Sequence, residues 1–218
     1  MVDFQTEDQD GMCNILQVRW TISPRTAPQP WIACSGCGCL KPFRSSGKIR
    51  LNANGKRLDA WLVYKCVDCD KTWNRALFER KVVHDISPYT LEALQHSDPH
   101  WVRAREFDLD GLKRKVRRVD EISDVFIRKR ITREARDWTI LEIEIVAELS
   151  TSLRLDRLLS SGLAISRSRL QALSKGGQLK AEPDRNNFLR HRLQDGMRIA
   201  LDLSEISDRQ AIGRAAAD

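Results

Sequence analysis

Two pairs of cysteines are the residues of this 218-residue chain best suited to chemistry. Cys34 and Cys37 form one C-x-x-C motif, and Cys66 and Cys69 form a second motif about thirty residues further along the chain. Thiolates at this spacing are the ligand pattern of structural zinc sites, in which two short turns close on a single Zn²⁺ ion. The sequence therefore predicts one structural zinc ion per chain, bound by these four cysteines.

Two further cysteines and a second use of the motif leave alternatives open. Cys39 could replace Cys37 as the fourth ligand, although we expect a spare thiol beside the site, and Cys13 has no partner at ligand spacing. The C-x-x-C motif also occurs in thioredoxin-like redox pairs, which need a helix N-terminus within a strand–helix–strand unit. No such pattern flanks either pair. The four histidines are scattered, so nothing predicts a catalytic metal with an open water position.

The residues around the cysteine pairs have the composition of short strands. Residues 61–65 predict a strand that leads into the second pair, and residues 71–74 predict a returning strand. Asn54-Gly55 lies between two apolar runs, which is typical of a hairpin turn. With a further strand over 14–22, the sequence predicts a β-rich, zinc-ribbon-like domain over residues 14–80. Four tryptophans here either supplement a small core or form a stacking platform for unpaired bases: Trp20, Trp31, Trp61 and Trp73.

Composition favours a polyanionic partner in a reducing compartment. The net charge is +7 and the sequence pI is about 9.3, which points to nucleic acid first and an anionic membrane surface second. No apolar run has the length of a membrane span, and residues 1–8 are too acidic and polar for a secretory or transit signal. Cysteines that pair as ligands, without such a signal, indicate the cytoplasm.

The middle of the chain, residues 81–138, is predicted to be a charged helical connector. Ser87 followed by Pro88 is typical of a helix start. Residues 113–118 form a basic run, and acidic residues are interleaved with the basic residues that follow it. The segment is therefore either a solvated helix face with internal ion pairs or a surface that contacts phosphates.

A small α+β module is predicted over residues 139–203, followed by a tail at 204–218. Residues 138–146 alternate between apolar and polar side chains, which predicts a half-buried strand. Leucines at helical spacing predict two helices after it, over 153–163 and 165–177. Between residues 151 and 200, ten lysines and arginines stand against four acids.

The second of these helices has the clearest local signals. Ser166 is a good N-cap, and Gly176 or Gly177 is expected to end the helix. Arg167 and Lys175, with Gln171 between them, are spaced by four residues and so share one outward face.

Residues 152–202 resemble the S-four RNA-binding domain, a small module of a ribosomal protein, pseudouridine synthases and some tRNA synthetases. Residues 154–159 match its opening helix, 166–177 its second helix and turn, and 193–199 its closing turn and strand. The loop over 178–187 departs from the family pattern, so any contact made through that loop is in doubt. The resemblance implies two short helices with basic residues facing structured RNA: Arg154, Arg157, Ser166, Arg167, Arg169, Lys175 and Lys180.

Taken whole, the order of parts is similar to an uncharacterised bacterial family catalogued only as a domain of unknown function. Residues 14–20, 52–59 and 72–74 carry that likeness. It implies the architecture and no activity.

We therefore expect an α+β protein that acts as a non-catalytic RNA-binding accessory protein, with ribosomal or transfer RNA as its partner. An RNA-modifying enzyme is one alternative, but the chain has no phosphate-cradling glycine loop, G-x-S-x-G or H-E-x-x-H motif. A zinc-ribbon adaptor that binds other proteins is the second alternative.

Overall fold

The computed structural model describes residues 14–121 and 124–218, so Cys13 and residues 1–8 lie outside the described residues. The described chain forms an α+β structure whose strands are β1 Ile15–Pro24, β2 Gln29–Cys34, β3 Cys39–Asn54, β4 Arg57–Cys66, β5 Thr72–Val82, β6 Val119–Asp120, β7 Val125–Glu134, β8 Ile140–Val146, β9 Leu179–Glu182 and β10 Arg198–Asp202. The helices are α1 Pro88–His96, α2 Pro99–Glu106, α3 Leu109–Lys113, α4 Leu155–Leu163, α5 Arg167–Lys175 and α6 Arg209–Ala217. Short 3-10 turns occur at Val83–Asp85 and Phe188–Arg190.

These elements form two compact units, each assembled from separate stretches of chain. Unit 1 contains residues 14–23, 126–148 and 153–218, and unit 2 contains residues 24–125 and 149–152. This division differs from the predicted boundaries, because β1 belongs with the C-terminal module and the helices α1 to α3 belong with the cysteine-bearing strands.

Unit 2 is built on a five-stranded sheet in the order β5-β4-β3-β2-β6. Strands β2 to β5 pair antiparallel with their neighbours along the chain, and the predicted Asn54-Gly55 turn joins β3 to β4. Phe43, Leu62 and Tyr64 lie at the centre of the core, each 2% exposed or less. Val102 and Leu112 from the helices complete that core, so the helical segment covers the sheet directly.

Local capping fixes the helices of unit 2 where the sequence indicates. The Ser87 hydroxyl accepts a hydrogen bond from the Thr90 backbone N–H, and Pro88 occupies the first turn of α1. The Asp98 carboxylate caps α2 in the same way at 2.8 Å from the Trp101 nitrogen. Pro99 occupies the first turn of α2, and α1 ends before it at His96.

Unit 1 has a five-stranded sheet in the order β7-β1-β8-β10-β9. Strand β1 runs parallel to β8, with Ile15 opposite Ile140, and β10 is antiparallel to both β8 and β9. Alternate side chains of β1 and β8 point into the core and are no more than 2% exposed. They are Leu16, Val18, Trp20, Leu141, Ile143 and Ile145.

Glycines allow two helices to approach the tryptophans of unit 1 closely. A Cβ on Gly162 of α4 would lie 2.6 Å from Cζ3 of Trp20, and a Cβ on Gly213 of α6 would lie 2.7 Å from Cη2 of Trp138. Trp20 is 0% exposed and donates its indole N–H to the Ala216 carbonyl at 2.8 Å. Trp20 is therefore a core residue, and it cannot serve as a stacking platform for bases.

One predicted element differs from the structure. Residues 125–134, predicted within the helical connector, form the strand β7 instead. Side chains at Val125, Ile127 and Lys129 are less exposed than their neighbours, which is the two-residue alternation of a strand, and dense charge obscured it in the sequence. The tail contains a packed helix, α6, with Ile212 and Ala216 buried.

Candidate metal centre and candidate nucleic-acid interface

Two hairpin turns at one end of the unit 2 sheet carry the paired cysteines. The first turn joins β2 to β3, and Cys34 stands opposite Cys39 across it. The second turn follows β4, whose last residue, Cys66, stands opposite Phe43 of β3. Because β3 pairs with both β2 and β4, this register brings the two turns together at the same end of the sheet.

The four predicted cysteine ligands, and not Cys39, form one sulfur cluster. The ligand atoms of Cys34, Cys37, Cys66 and Cys69 all lie within 4.8 Å of one another. The Cys34 and Cys69 sulfurs are 3.3 Å apart, and those of Cys37 and Cys66 are 3.9 Å apart. Four thiolates around one zinc ion at about 2.3 Å would be separated by about 3.8 Å, whereas a disulfide would require about 2.05 Å. These four cysteines can therefore hold a metal ion with little rearrangement.

Backbone geometry shapes the first turn around the cluster. Gly38 has a φ of 69° and donates its N–H to the Cys34 carbonyl at 2.8 Å. A Cβ on Gly36 would lie 2.9 Å from the Cys69 sulfur and 2.8 Å from Cγ of Lys71. Only glycine at position 36 therefore lets the two turns come this close, and a larger side chain would push the sulfurs apart.

The thiols of the cluster differ in pKa: that of Cys34 is lowered and that of Cys37 is raised. Burial alone would raise the pKa of Cys34, but hydrogen bonds from the backbone N–H of Cys37, the Cys69 thiol and the backbone N–H of Gly36 outweigh burial and lower it to about 7. A thiol hydrogen bond to Cys69, together with burial, raises the pKa of Cys37 instead. Four crowded thiols cannot all ionise without a compensating cation, and a bound metal ion would supply that charge.

The remaining cysteine alternatives are resolved by position. Cys39 is exposed and lies outside the cluster. Both C-x-x-C pairs lie in hairpin turns between strands, whereas a thioredoxin-like pair would lie at the start of a helix.

Arg154, Ser166 and Arg169, which are among the residues predicted to contact RNA, have side-chain partners within the protein. Arg154 pairs with the buried Asp156 at 2.7 Å, and both ends of the Arg169 guanidinium pair with Asp208 at 2.6 Å. The Ser166 hydroxyl caps α5 by accepting the Arg169 backbone N–H at 3.2 Å. Arg169 and Ser166 therefore have structural roles, and the predicted cationic face has fewer available charges than the sequence indicates.

The other predicted contacts lie at the surface. Arg157, Arg167, Lys175 and Lys180 are all exposed. Within the described residues, neither Arg167 nor Lys175 forms an ion pair with a carboxylate. Hydrogen bonds from Ser204, and then the charge of Lys180, lower the pKa of Asp202, so the charge of Lys180 is partly offset.

Sequence reasoning missed the features that depend on tertiary packing. Arg75, in the middle of β5, is 3% exposed and pairs with Asp108 at 2.7 Å, beside a cleft of about 530 Å³ in unit 2. Lys129 on β7 donates hydrogen bonds to the carbonyls of Gly162, at 3.0 Å, and Ala215. The sequence does not indicate that this arginine and this lysine contact groups inside the protein, because both residue types are exposed in most proteins.

The fold and the cysteine cluster define an α+β protein of two units with a candidate metal centre in one of them. Residues 51–185 match the family model described as a protein of unknown function, DUF1062, and the chain belongs to that family. The matched segment includes Cys66 and Cys69 together with α4 and α5, while Cys34 and Cys37 precede it. No curated protein and no solved structure matches the chain.

Among the described helices, none combines the length and the apolar character needed to cross a membrane.

Proposed function

We propose that this protein is a non-catalytic RNA-binding accessory protein of the cytoplasm, in which one zinc ion stabilises unit 2 and helices α4 and α5 of unit 1 contact structured RNA. The two parts of the proposal rest on different observations and can fail separately.

Zinc is the metal that best suits the sulfur cluster. Four thiolates without a histidine or carboxylate form the donor set of closed structural zinc sites of the ribbon type. When bound, the ion would supply a cross-link between the two hairpin turns and no reaction chemistry. Cys34, Cys37, Cys66 and Cys69 would hold it, and the adjoining core of Phe43 and Tyr64 would keep those turns in register.

The outward face of α5 is the observation that carries the RNA proposal. Arg167, Gln171 and Lys175 are all exposed there, at the spacing of one helix face, and Lys180 follows on β9. Helices α4 and α5 followed by β9 and β10 occur in the order that the resemblance to the S-four domain implies. Cations on such a face favour phosphate contacts, with the shape of the RNA deciding the site more than its bases.

The ion pairs of Arg154 and Arg169 reduce the number of cations that the proposed surface can offer to phosphate groups. A guanidinium that is already neutralised by a carboxylate adds little to phosphate attraction unless the pair opens. We therefore assign the main contacts to Arg167 and Lys175, with Arg157 and Lys180 flanking them.

Filter binding of transfer RNA over a salt series tests this surface. The double change Arg167→Glu and Lys175→Glu should weaken binding by about tenfold or more at low salt and reduce the salt dependence. Arg128→Glu with Arg130→Glu is the matched control, because both residues are exposed, lie in the same unit and change the net charge equally. Absence of binding at low salt, or equal losses in both variants, would exclude the proposed surface.

A protein-binding adaptor is the second candidate, and apolar exposure beside the cysteine cluster favours it. Leu40, next to Cys39, is 62% exposed, and Val67, between the second pair of ligands, is 38% exposed. Exposed apolar side chains favour a protein contact where they form a contiguous patch. A pull-down with and without nuclease separates the candidates, because partners of an adaptor would persist after RNA is digested.

A further inference from the structure

Unit 2 contains a cleft whose lining is strongly cationic. It has a volume of about 530 Å³ and lies between β5 and the helices α2 and α3. That volume is in the range of ligand sites, about 300–1,000 Å³. Five basic residues and two acids line the cleft, together with the rings of Phe78 and Trp101: Arg75, Lys81, Arg105, Arg114 and Lys115, with Glu79 and Asp108.

One of the two acids, Asp108, already forms an ion pair with Arg75. Asp108 accepts the Arg75 guanidinium on Oδ2 at 2.7 Å and the Gly111 backbone N–H on Oδ1 at 2.9 Å. Arg75 also donates to the Arg105 carbonyl at 2.7 Å, so it ties β5 to α2 and to the start of α3. The buried Arg75 and the half-buried Asp108 therefore form part of the wall of the cleft and pair with each other.

The remaining cations outnumber the remaining acid by four to one. Within residues 14–121 and 124–218, none of Lys81, Arg105, Arg114 and Lys115 forms an ion pair with a carboxylate. Cations that converge on a concave surface focus a positive potential, which attracts a ligand with several negative charges. Because the lining is polar, an apolar ligand would gain little there.

Two aromatic rings in the cleft carry cations over their faces. The Arg105 guanidinium lies 4.7 Å from the centre of the Trp101 ring, and Lys81 Nζ lies 5.6 Å from the centre of the Phe78 ring. Both rings are half-buried and line the cleft. Aromatic faces beside arginine and lysine are the combination with which proteins hold a base and its phosphates.

We propose that this cleft binds a ligand of nucleotide chemistry, with phosphate groups on Arg105, Arg114 and Lys115 and a base against the Trp101 or Phe78 side. The ligand would be either a free nucleoside diphosphate or a nucleotide within single-stranded RNA. The site shares no residue with the α5 surface, and its existence does not depend on the function proposed above.

Isothermal titration calorimetry at low salt, with the full chain, tests the site with three probes: inorganic pyrophosphate, ADP and a short oligouridylate. We expect saturable binding of ADP or oligouridylate that is tighter than that of pyrophosphate, because the ring contacts add to the phosphate contacts. Tighter binding of ADP would identify a free nucleotide as the ligand, and tighter binding of oligouridylate would identify a strand.

The double change Arg114→Glu and Lys115→Glu should weaken that binding by about tenfold. Lys48→Glu with Arg50→Glu is the matched control, since both residues are exposed in the same unit, outside the cleft, and the charge change is equal. Arg114→Gln with Lys115→Gln provides a milder variant should the charge reversal disturb folding. No saturable binding of any probe, or equal weakening in the control, would overturn the proposal.

Discussion

Arg169 and Asp208 form a forked ion pair in which each guanidinium end nitrogen lies 2.6 Å from a different carboxylate oxygen. Arg169 belongs to α5, and Asp208 is the residue immediately before α6. The pair therefore joins the helix that we propose to contact RNA to the C-terminal helix of unit 1. Arg169, which the sequence predicts to contact RNA, therefore has a structural role in this unit.

The first prediction concerns the pH dependence of this pair. The Arg169 guanidinium holds the pKa of Asp208 below its usual value, which is about 3.9 in unfolded chains. A carboxyl group whose pKa is lower in the folded state than in the unfolded state stabilises the folded state at any pH above its unfolded-state pKa. That stabilisation is lost as the pH falls to and below the folded-state pKa. Asp208→Asn should therefore destabilise the protein at neutral pH, and its difference from the wild type should shrink below about pH 4.

Urea unfolding over a pH series measures this difference. Asp184→Asn is the control, because Asp184 is exposed and has no ion pair within the described residues. If the Asp208→Asn variant kept the full difference in acid, or showed none at neutral pH, the ion pair would not be the cause.

The second prediction concerns metal content. Purified protein should contain about one zinc per chain, and Cys66→Ser with Cys69→Ser should abolish it. Because the two turns adjoin the core around Phe43 and Tyr64, metal loss should also lower the melting temperature. Elemental analysis and thermal unfolding measure these effects.

Cys39→Ser is the control for the metal site, since Cys39 is an exposed cysteine at the start of β3, beside the first turn, and lies outside the cluster. It should keep the metal and the melting temperature. A fully folded wild-type preparation without metal, or equal metal loss in the control, would contradict the four-thiolate assignment.

The third prediction concerns the close approach of α4 to Trp20. Gly162→Ala should destabilise unit 1 by about 1–3 kcal/mol, because the added Cβ overlaps the indole ring in a fully buried site. Gly176→Ala should change stability by less than about 0.5 kcal/mol. At Gly176 the φ is −75° and a Cβ would meet its nearest neighbour, the flexible Gln178 side chain, at 3.3 Å. Chemical denaturation measures both, and equal effects would argue against the steric explanation.

The fourth prediction concerns Lys129, whose ammonium group bonds carbonyls near the ends of α4 and α6. Burial lowers the pKa of this lysine, which is consistent with its position between the helices and the ring of Trp20. Lys129→Met should cost about 1–3 kcal/mol of unfolding free energy, because it leaves two helix-end carbonyls without their charged donor.

Arg130→Met is the control for this change, since Arg130 is an exposed cation on the same strand. It should leave stability nearly unchanged. Equal melting temperatures for the two variants would show that the hydrogen bonds of Lys129 contribute little.

Much of the local structure could be predicted from short stretches of sequence. The Ser87 and Ser166 caps, the Asn54-Gly55 turn and the strand before Cys66 each depend on neighbouring residues alone. The clustering of Cys34, Cys37, Cys66 and Cys69 could also be predicted, because the C-x-x-C spacing is typical of turns that hold a metal ion. The strand at 125–134 could not, since its exposed charges fit a helix surface equally well and its pairing with β1 involves residues over a hundred positions away.

Short stretches of sequence fix most of the strands and helices, the caps of α1 and α5 and the cysteine pairs, because these depend on backbone preferences and ligand spacing within a few residues. The pairing of β1 with β8, the carboxylate partners of the cations and the set of basic residues that line the cleft follow from the tertiary structure alone. Such outcomes depend on distances between residues far apart in the chain. A local pattern carries no record of those distances, and the availability of each charge for a ligand depends on them.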